Sequence, residues 1–197
     1  MRIEMVDCTD NPIDVISNCA GTSYGKENSS RKRTLNCMKA GHGSVFEHAK
    51  FTVRISGISR ACSHQLVRHR MASYTQESQR YVKVDTSKGW YVTPPDMEGS
   101  PCYARIMNDL AEAYNEALEE GVKPEDARYM LPNACKTTIT MTMNYREFFW
   151  GFLKERNSQS AQWEIRELAL AIKDQLKSYG GQVSELIDMY EGVMANG

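Results

Sequence analysis

No apolar run in this sequence approaches the roughly 20 residues that a membrane-crossing helix needs, and the opening MRIEMVDCTD has no basic stretch followed by an apolar one. The expectation is a soluble, cytoplasmic protein. The six cysteines, Cys8, Cys19, Cys37, Cys62, Cys102 and Cys135, include no C-x-x-C pair. Their scatter suggests neither a zinc ribbon nor a disulfide framework and reads as reduced thiols. Gly41-His42-Gly43-Ser44 is not followed by the Gly-Lys-Ser/Thr of a P-loop, and no G-x-G-x-x-G occurs. Any nucleotide is therefore bound without a Rossmann turn. All four histidines, His42, His48, His64 and His69, crowd into one stretch, yet no H-E-x-x-H or zinc-finger spacing joins them, so no metal is expected. An excess of charge is missing too: 24 Lys and Arg stand against 25 Asp and Glu, for a net charge of −1. That balance argues against a protein made to coat nucleic acid, so any basic site must be local.

What is present reads as one domain over residues 1–197, with no repeat, low-complexity tract or linker. Three segments alternate with the period of a half-buried strand: Ile3 and Met5; Phe51, Val53 and Ile55; and Ile139, Met141 and Met143, the last with threonines on its other face. Ser100-Pro101 opens a helix carrying the stripe Ile106, Leu110, Ala113 and Ala117 and ending at Gly121. A second helix begins after Asn144, with Glu147 placed as in a capping box and Phe148, Phe149, Phe152 and Leu153 on its apolar side. A third repeats Ile165, Leu168, Ala169, Ile172 and Leu176 before Gly180-Gly181. Lys123-Pro124 starts a short helix closed by Pro132. Strands and long helices are partly segregated, so the expected class is α+β, a central mixed sheet with flanking helices.

The local basic site is LVRHRMASYTQESQRY, Leu66 to Tyr81, with three arginines and a single acid, Glu77. Ile58, Cys62, Leu66 and His69 fall at helical spacing, which puts Arg68, His69 and Arg70 at a helix C-terminus; SYTQES then reads as a loop. Cations at a helix C-terminus are explained by the dipole alone. Forked guanidinium donors beside Ser73, Thr75, Gln76, Ser78 and Gln79 also suit a nucleotide better than a bare anion. Tyr74 and Tyr81 offer stacking faces, which keeps open a non-enzymatic single-stranded nucleic-acid-binding module using the Arg/Tyr patch 68–81. A metal hydrolase built on the histidines is the other rival.

Arg68-His69-Arg70, then Ser78 and Arg80, resembles the signature of the flavin-dependent thymidylate synthases. Gly41 to His48 (GHGSVFEH), Glu125 to Pro132 (EDARYMLP), Asn144-x-Arg146, and Arg156 followed by SAQWEI are similar to further segments of that family, in the same order. The resemblance implies dUMP converted to dTMP with 5,10-methylenetetrahydrofolate as carbon donor, FAD as hydride carrier and NADPH as reductant. It also implies a homotetramer with sites between subunits and no Rossmann domain. Carried over by position, Gln65, Arg68, Gln76, Ser78, Gln79, Arg80 and Arg128 hold dUMP, with Arg80 and Arg128 on its phosphate. Ser23, Ser44, Glu47, Arg68, His69, Arg70, Asn144 and Arg146 contact FAD. His42 and Tyr74 line the folate and nicotinamide side. Arg156 lies over the uracil and flavin, and Ser78 shares the catalytic position. No Ser-His-Asp order surrounds Ser78, so its expected role is to orient dUMP. Ser160 stands where many members have His, Gln76 where Glu is frequent and Gly151 near a common Asn, and NCAGTSYG lacks a frequent arginine.

Overall fold

A computed structural model describes residues 1–26 and 28–195. Four strands, β1 (Arg2–Cys8), β2 (Lys50–Ser59), β3 (Ala72–Gln76) and β4 (Lys136–Asn144), form one sheet in the order β1-β2-β4-β3. Every neighbouring pair is antiparallel. The α+β class stands, but the sheet expected to be mixed contains no parallel pair among the described residues. The threonine and methionine alternation of β4 carries the reason, because parallel strands are buried on both faces and read as continuous apolar runs.

Phe51, Val53 and Ile55 pair with Met143, Met141 and Ile139, and all six are at most 1% exposed. On the other face Thr52 and Thr142 join hydroxyls at 2.9 Å. The register of β2 shifts between Ser56 and Ile58, where Gly57 takes φ +79°. This bulge turns both Ile58 and Ser59 into the interior. The segment expected to be a loop is in fact β3, with Ala72 to Gln76 opposite Met143 to Ile139. A five-residue polar edge strand has little signal of its own; it exists because β4 supplies its ladder partner.

The helices are α1 (Pro12–Thr22), α2 (Arg31–Lys39), α3 (Arg60–Leu66), α4 (Pro101–Glu119), α5 (Pro124–Ala127), α6 (Lys154–Arg156), α7 (Trp163–Tyr179) and α8 (Gly181–Ala195). The α7 stripe expected from Ile165 to Leu176 is fully buried. On α4, Ser100 Oγ accepts from Tyr103 N–H at 3.3 Å and Gly121 at φ +88° comes just after the end. Its buried side is Met107, Tyr114 and Ala117, while Ile106 is 42% exposed. The stripe is rotated because Met107 packs with Trp90 and Cys135 and the Tyr114 hydroxyl accepts from Val84 N–H at 3.1 Å.

After β4, Asn144 Oδ1 accepts from Glu147 N–H at 2.9 Å, the expected cap. The next helix is a π-helix over Glu147–Leu153, continued by α6. Phe148, Phe149, Phe152 and Leu153 are buried as expected. Tyr190 of α8 stacks on Phe149 with centroids 4.3 Å apart and donates its hydroxyl to the Phe149 carbonyl at 2.9 Å. No helix among the described residues is long and apolar enough to cross a membrane.

Candidate active site

The residues expected to form the site occupy three places. The first forms where α3 ends. Tyr74 on β3 brings its hydroxyl to the carbonyls of Leu66 and His69, 2.9 Å each, and so ties the RHR turn to the sheet. Burial, with the Glu147 carboxylate second, pushes the Tyr74 hydroxyl well above its ordinary pKa, so it remains a donor. Its hydroxyl is thereby committed to backbone. Arg68 and Arg70 are exposed, whereas His69 is 5% exposed and meets Phe152 edge-on at 5.0 Å.

Both His69 ring nitrogens are engaged: Nδ1 lies 3.0 Å from Glu147 Oε1, and Nε2 accepts from Arg156 Nε at 2.9 Å. Arg68, Arg70, Met71, Glu147, Gly151, Glu155 and Arg156 line a cleft of about 440 Å3 here with His69. A smaller cleft of about 280 Å3 is lined by Glu47, Asn144 and Arg146 and shares Met71 and Glu147 with the first. Arg146 and Glu47 form an ion pair across it. Gly43 lets Arg146 lie close, since a Cβ there would stand 3.1 Å from Arg146 Nε.

The second group lies beyond the other end of β3. Arg80 sends Nε and Nη2 to Glu125 Oε2 at 3.1 and 3.0 Å, and Arg128 Nε donates to the Glu125 carbonyl at 2.9 Å. Two guanidiniums from distant parts of the sequence are thus seated on one residue. Ser78 Oγ accepts from Arg80 N–H at 3.3 Å. Gln79 Nε2 is turned to Cys135 Sγ at 3.4 Å, and Gln76 Nε2 donates to Ser63 and Thr137 hydroxyls at 3.0 and 3.1 Å. Gln65 is half-buried on α3. Tyr81 and Tyr129, 78% and 84% exposed, lie beside these arginines with rings 5.5 and 6.0 Å from the guanidinium carbons.

The third group is not drawn into either. Ser23 caps the C-terminus of α1. His42 borders a cleft of about 460 Å3 with Tyr24, Lys26, Lys32 and Arg33; Ser44 is exposed on the 3-10 segment Gly43–His48. Among the described residues no three His, Cys, Asp or Glu side chains converge as metal ligands do.

Two residues that sequence reasoning passes over support the first group. By sequence Glu147 is only a helix cap residue, yet its side chain goes to His69. Glu164, inside the SAQWEI segment, is 3% exposed and accepts from Ser59 N–H at 2.7 Å and Ser59 Oγ–H at 2.5 Å. Ser59 Oγ in turn accepts from Cys62 N–H at 2.9 Å, capping α3. An acid on an otherwise apolar helix stripe is the signal that could have found it. Cys62 is buried; that burial, with Glu164 adding and Arg156 opposing, raises its pKa far above 9.0. It is a neutral thiol and no nucleophile.

Residues 4–179 match the family described as thymidylate synthase complementing protein. The chain is 39% identical over 195 residues to a flavin-dependent thymidylate synthase of Pyrococcus furiosus, covering 89% of this chain and 79% of that one. It is 48% identical over 137 residues to one from Geobacter sulfurreducens, covering 68% and 59%. A crystal structure of the Helicobacter pylori thymidylate synthase with FAD and dUMP has a similar fold, with a TM-score of 0.80 over 96% of this chain and 99% of that one at 24% identity.

Proposed function

Because the chain belongs to the flavin-dependent thymidylate synthase family, we propose that its clefts carry out the reductive methylation of dUMP to dTMP. The carbon donor is 5,10-methylenetetrahydrofolate, the reductant NADPH and the cofactor FAD. The seating of Arg80 and Arg128 on Glu125 carries the dUMP assignment. Two fixed guanidiniums match a phosphate monoester in charge and in fork geometry. Gln65, Arg68, Gln76, Ser78 and Gln79 complete the dUMP set.

The first group fits FAD. Arg68, Arg70 and Arg146 supply donors for a pyrophosphate, and Gly43 leaves Arg146 a close approach to backbone. Glu47, Asn144 and His69 border the same clefts; Ser23 and Ser44, which lie outside them in this chain, would reach FAD from a second copy. When bound, FAD supplies hydride transfer to the pyrimidine. Arg156 presents a planar guanidinium to the uracil edge, polarising and orienting it. Ser78 has Arg80 N–H, not a base, at its hydroxyl, so it orients dUMP by hydrogen bonding. His42 lines the folate side, whereas Tyr74, its hydroxyl held by the Leu66 and His69 carbonyls, acts by ordering the RHR turn.

The two groups lie off opposite ends of β3, whose four steps alone span about 14 Å. That separation favours sites completed by a second copy, in keeping with the homotetramer that membership of the family implies. The chain acts as one domain, 1–197, in the cytoplasm. The test is dTMP formation by the purified protein with dUMP, FAD, NADPH and methylenetetrahydrofolate, abolished when either the folate or the reductant is omitted. Salt-sensitive binding of single-stranded RNA without dTMP would instead favour a nucleic-acid module using the Arg80–Tyr81 and Arg128–Tyr129 pairs.

A further inference from the structure

We propose that Glu147, seated over Gly151 in the π-helix, is a positioning residue that fixes the tautomer of His69 and thereby aims Arg156 into the cleft. The inference rests on the reading that Arg156 faces the pyrimidine.

Hydrogen-bond chemistry sets the direction of the relay. A guanidinium has no acceptor, so the 2.9 Å contact between Arg156 Nε and His69 Nε2 requires a lone pair on Nε2. The ring proton must then sit on Nδ1, which faces Glu147 Oε1 at 3.0 Å. With His69 only 5% exposed, water has little access to replace either partner, and each bond is costly to lose. Phe152 holds the ring edge-on from the core, and the Tyr74 hydroxyl holds the His69 carbonyl. Glu155 is the other carboxylate nearby, 3.9 Å from His69 Nε2 and 3.8 Å from Arg156 Nη2. At 62% exposure it is too loosely held to set the tautomer.

The helix is shaped to deliver Glu147. A Cβ on Gly151 would meet the Glu147 carboxylate at 2.6 to 2.7 Å, so any larger residue there would push that flexible carboxylate off its present seat across the turn, from which it reaches His69. Helical backbone does not otherwise require glycine at this position, and its conformational cost there is about 1 kcal/mol relative to alanine. The π turn closes on i+5 instead of i+4. It absorbs one residue, which rotates the next helical turn by roughly 100° relative to a continuous α-helix. Arg156, in the α6 continuation, owes its direction to that rotation.

The test is nitrogen-15 NMR of the histidine rings in the purified full chain, with the His69 signals assigned by their loss in His69→Gln. Wild type should show the Nδ1–H tautomer. Glu147→Ala and Gly151→Ala should redistribute it and speed exchange of the Arg156 Nε proton. Glu147→Gln, which keeps an acceptor oxygen, should retain both signatures. In turnover, Glu147→Ala should lose roughly 10-fold to 100-fold in kcat, as partners that orient a histidine do elsewhere. KM for dUMP should change less, and Glu147→Gln should recover most of the loss. An Nε2–H tautomer in wild type, an unchanged tautomer in Glu147→Ala, or a Gln variant as slow as the Ala variant would overturn the proposal. The tautomer is read without substrate or cofactor. Failure there is distinct from failure of the dUMP assignment, which shows as no dTMP from wild type.

Discussion

Arg80 directs two nitrogens to one Glu125 oxygen, but the pair is half open to solvent, with side chains 53% and 36% exposed. Such pairs contribute about 0 to 1 kcal/mol, so a doubly charged phosphate exchanges for the carboxylate at little cost. Arg80→Ala should therefore leave the melting temperature nearly unchanged. It should weaken dUMP by about 1.5 to 3 kcal/mol, roughly 10-fold to 150-fold. Calorimetric titration with dUMP and with deoxyuridine checks this: equal losses for both would refute the phosphate clamp. Ser78→Ala should lower kcat/KM for dUMP yet leave measurable dTMP, because its hydroxyl has no base to make it a nucleophile. Complete loss of product with normal dUMP and flavin binding would contradict that role. At this scale the basic patch of Arg68, Arg70 and Arg80 is legible in the sequence itself, whereas Arg128 and Arg156 stand out only through the family resemblance. Glu147 is legible in neither way, because its local role as a cap residue masks a partner far away in the chain.

Among the elements, α3 carries the RHR turn, and its start is fixed from α7. The Glu164 carboxylate satisfies Ser59 N–H and Oγ–H inside the protein. Glu164→Ala leaves both donors buried without partners, at about 1 to 3 kcal/mol each. The expected loss is about 3 kcal/mol in urea unfolding; Glu164→Gln, which keeps one acceptor, should lose less. Equal stability of wild type and Glu164→Ala would show that Ser59 is satisfied elsewhere. The α7 stripe is readable because its burial keeps to the helical period. The rotation of α4 is not, since Tyr114 is drawn inward by the Val84 backbone. The strand β3 is invisible in the sequence because its pairing partner β4 lies far along the chain.

For the whole molecule, sites shared between copies predict complementation. At a dUMP concentration just sufficient for wild type, Arg80→Ala and Arg156→Ala should each be nearly inactive, yet subunits mixed by unfolding and refolding should regain roughly a quarter of wild-type activity, because random assembly reunites intact halves. Light scattering should give a tetramer, and a dead mixture of correctly assembled subunits would place each site within one chain. Stability should also fall at high pH. Burial holds Cys62 and Cys135 above their ordinary value of 9.0, and Tyr74 and Tyr145 above 10.0. A raised folded pKa gives stability present below the unfolded value and lost as pH rises toward the folded one, up to about 1.4 kcal/mol per pH unit per group. From neutral pH up to about 8.5 the melting temperature should thus change little, and it should decline above that. Cys62→Ala should make the decline shallower; an unchanged slope would remove Cys62 from the account.

The sequence by itself determined the alternating strands, the α7 stripe, the helix caps and stops, and the residue types able to grip a phosphate. Each of these is set by periodicity or by a few neighbouring residues. Tertiary structure decided the rest: the antiparallel order of the sheet, the β3 edge, the rotation of α4, the π turn, and the joining of Arg80 to Arg128 and of Arg156 to His69 and Glu147. Most of those features depend on hydrogen bonds between residues far apart in the sequence, such as Val84 to Tyr114 and Arg156 to His69, 30 and 87 positions apart. Local pattern cannot specify such pairs, because they form only once the apolar faces have been buried together.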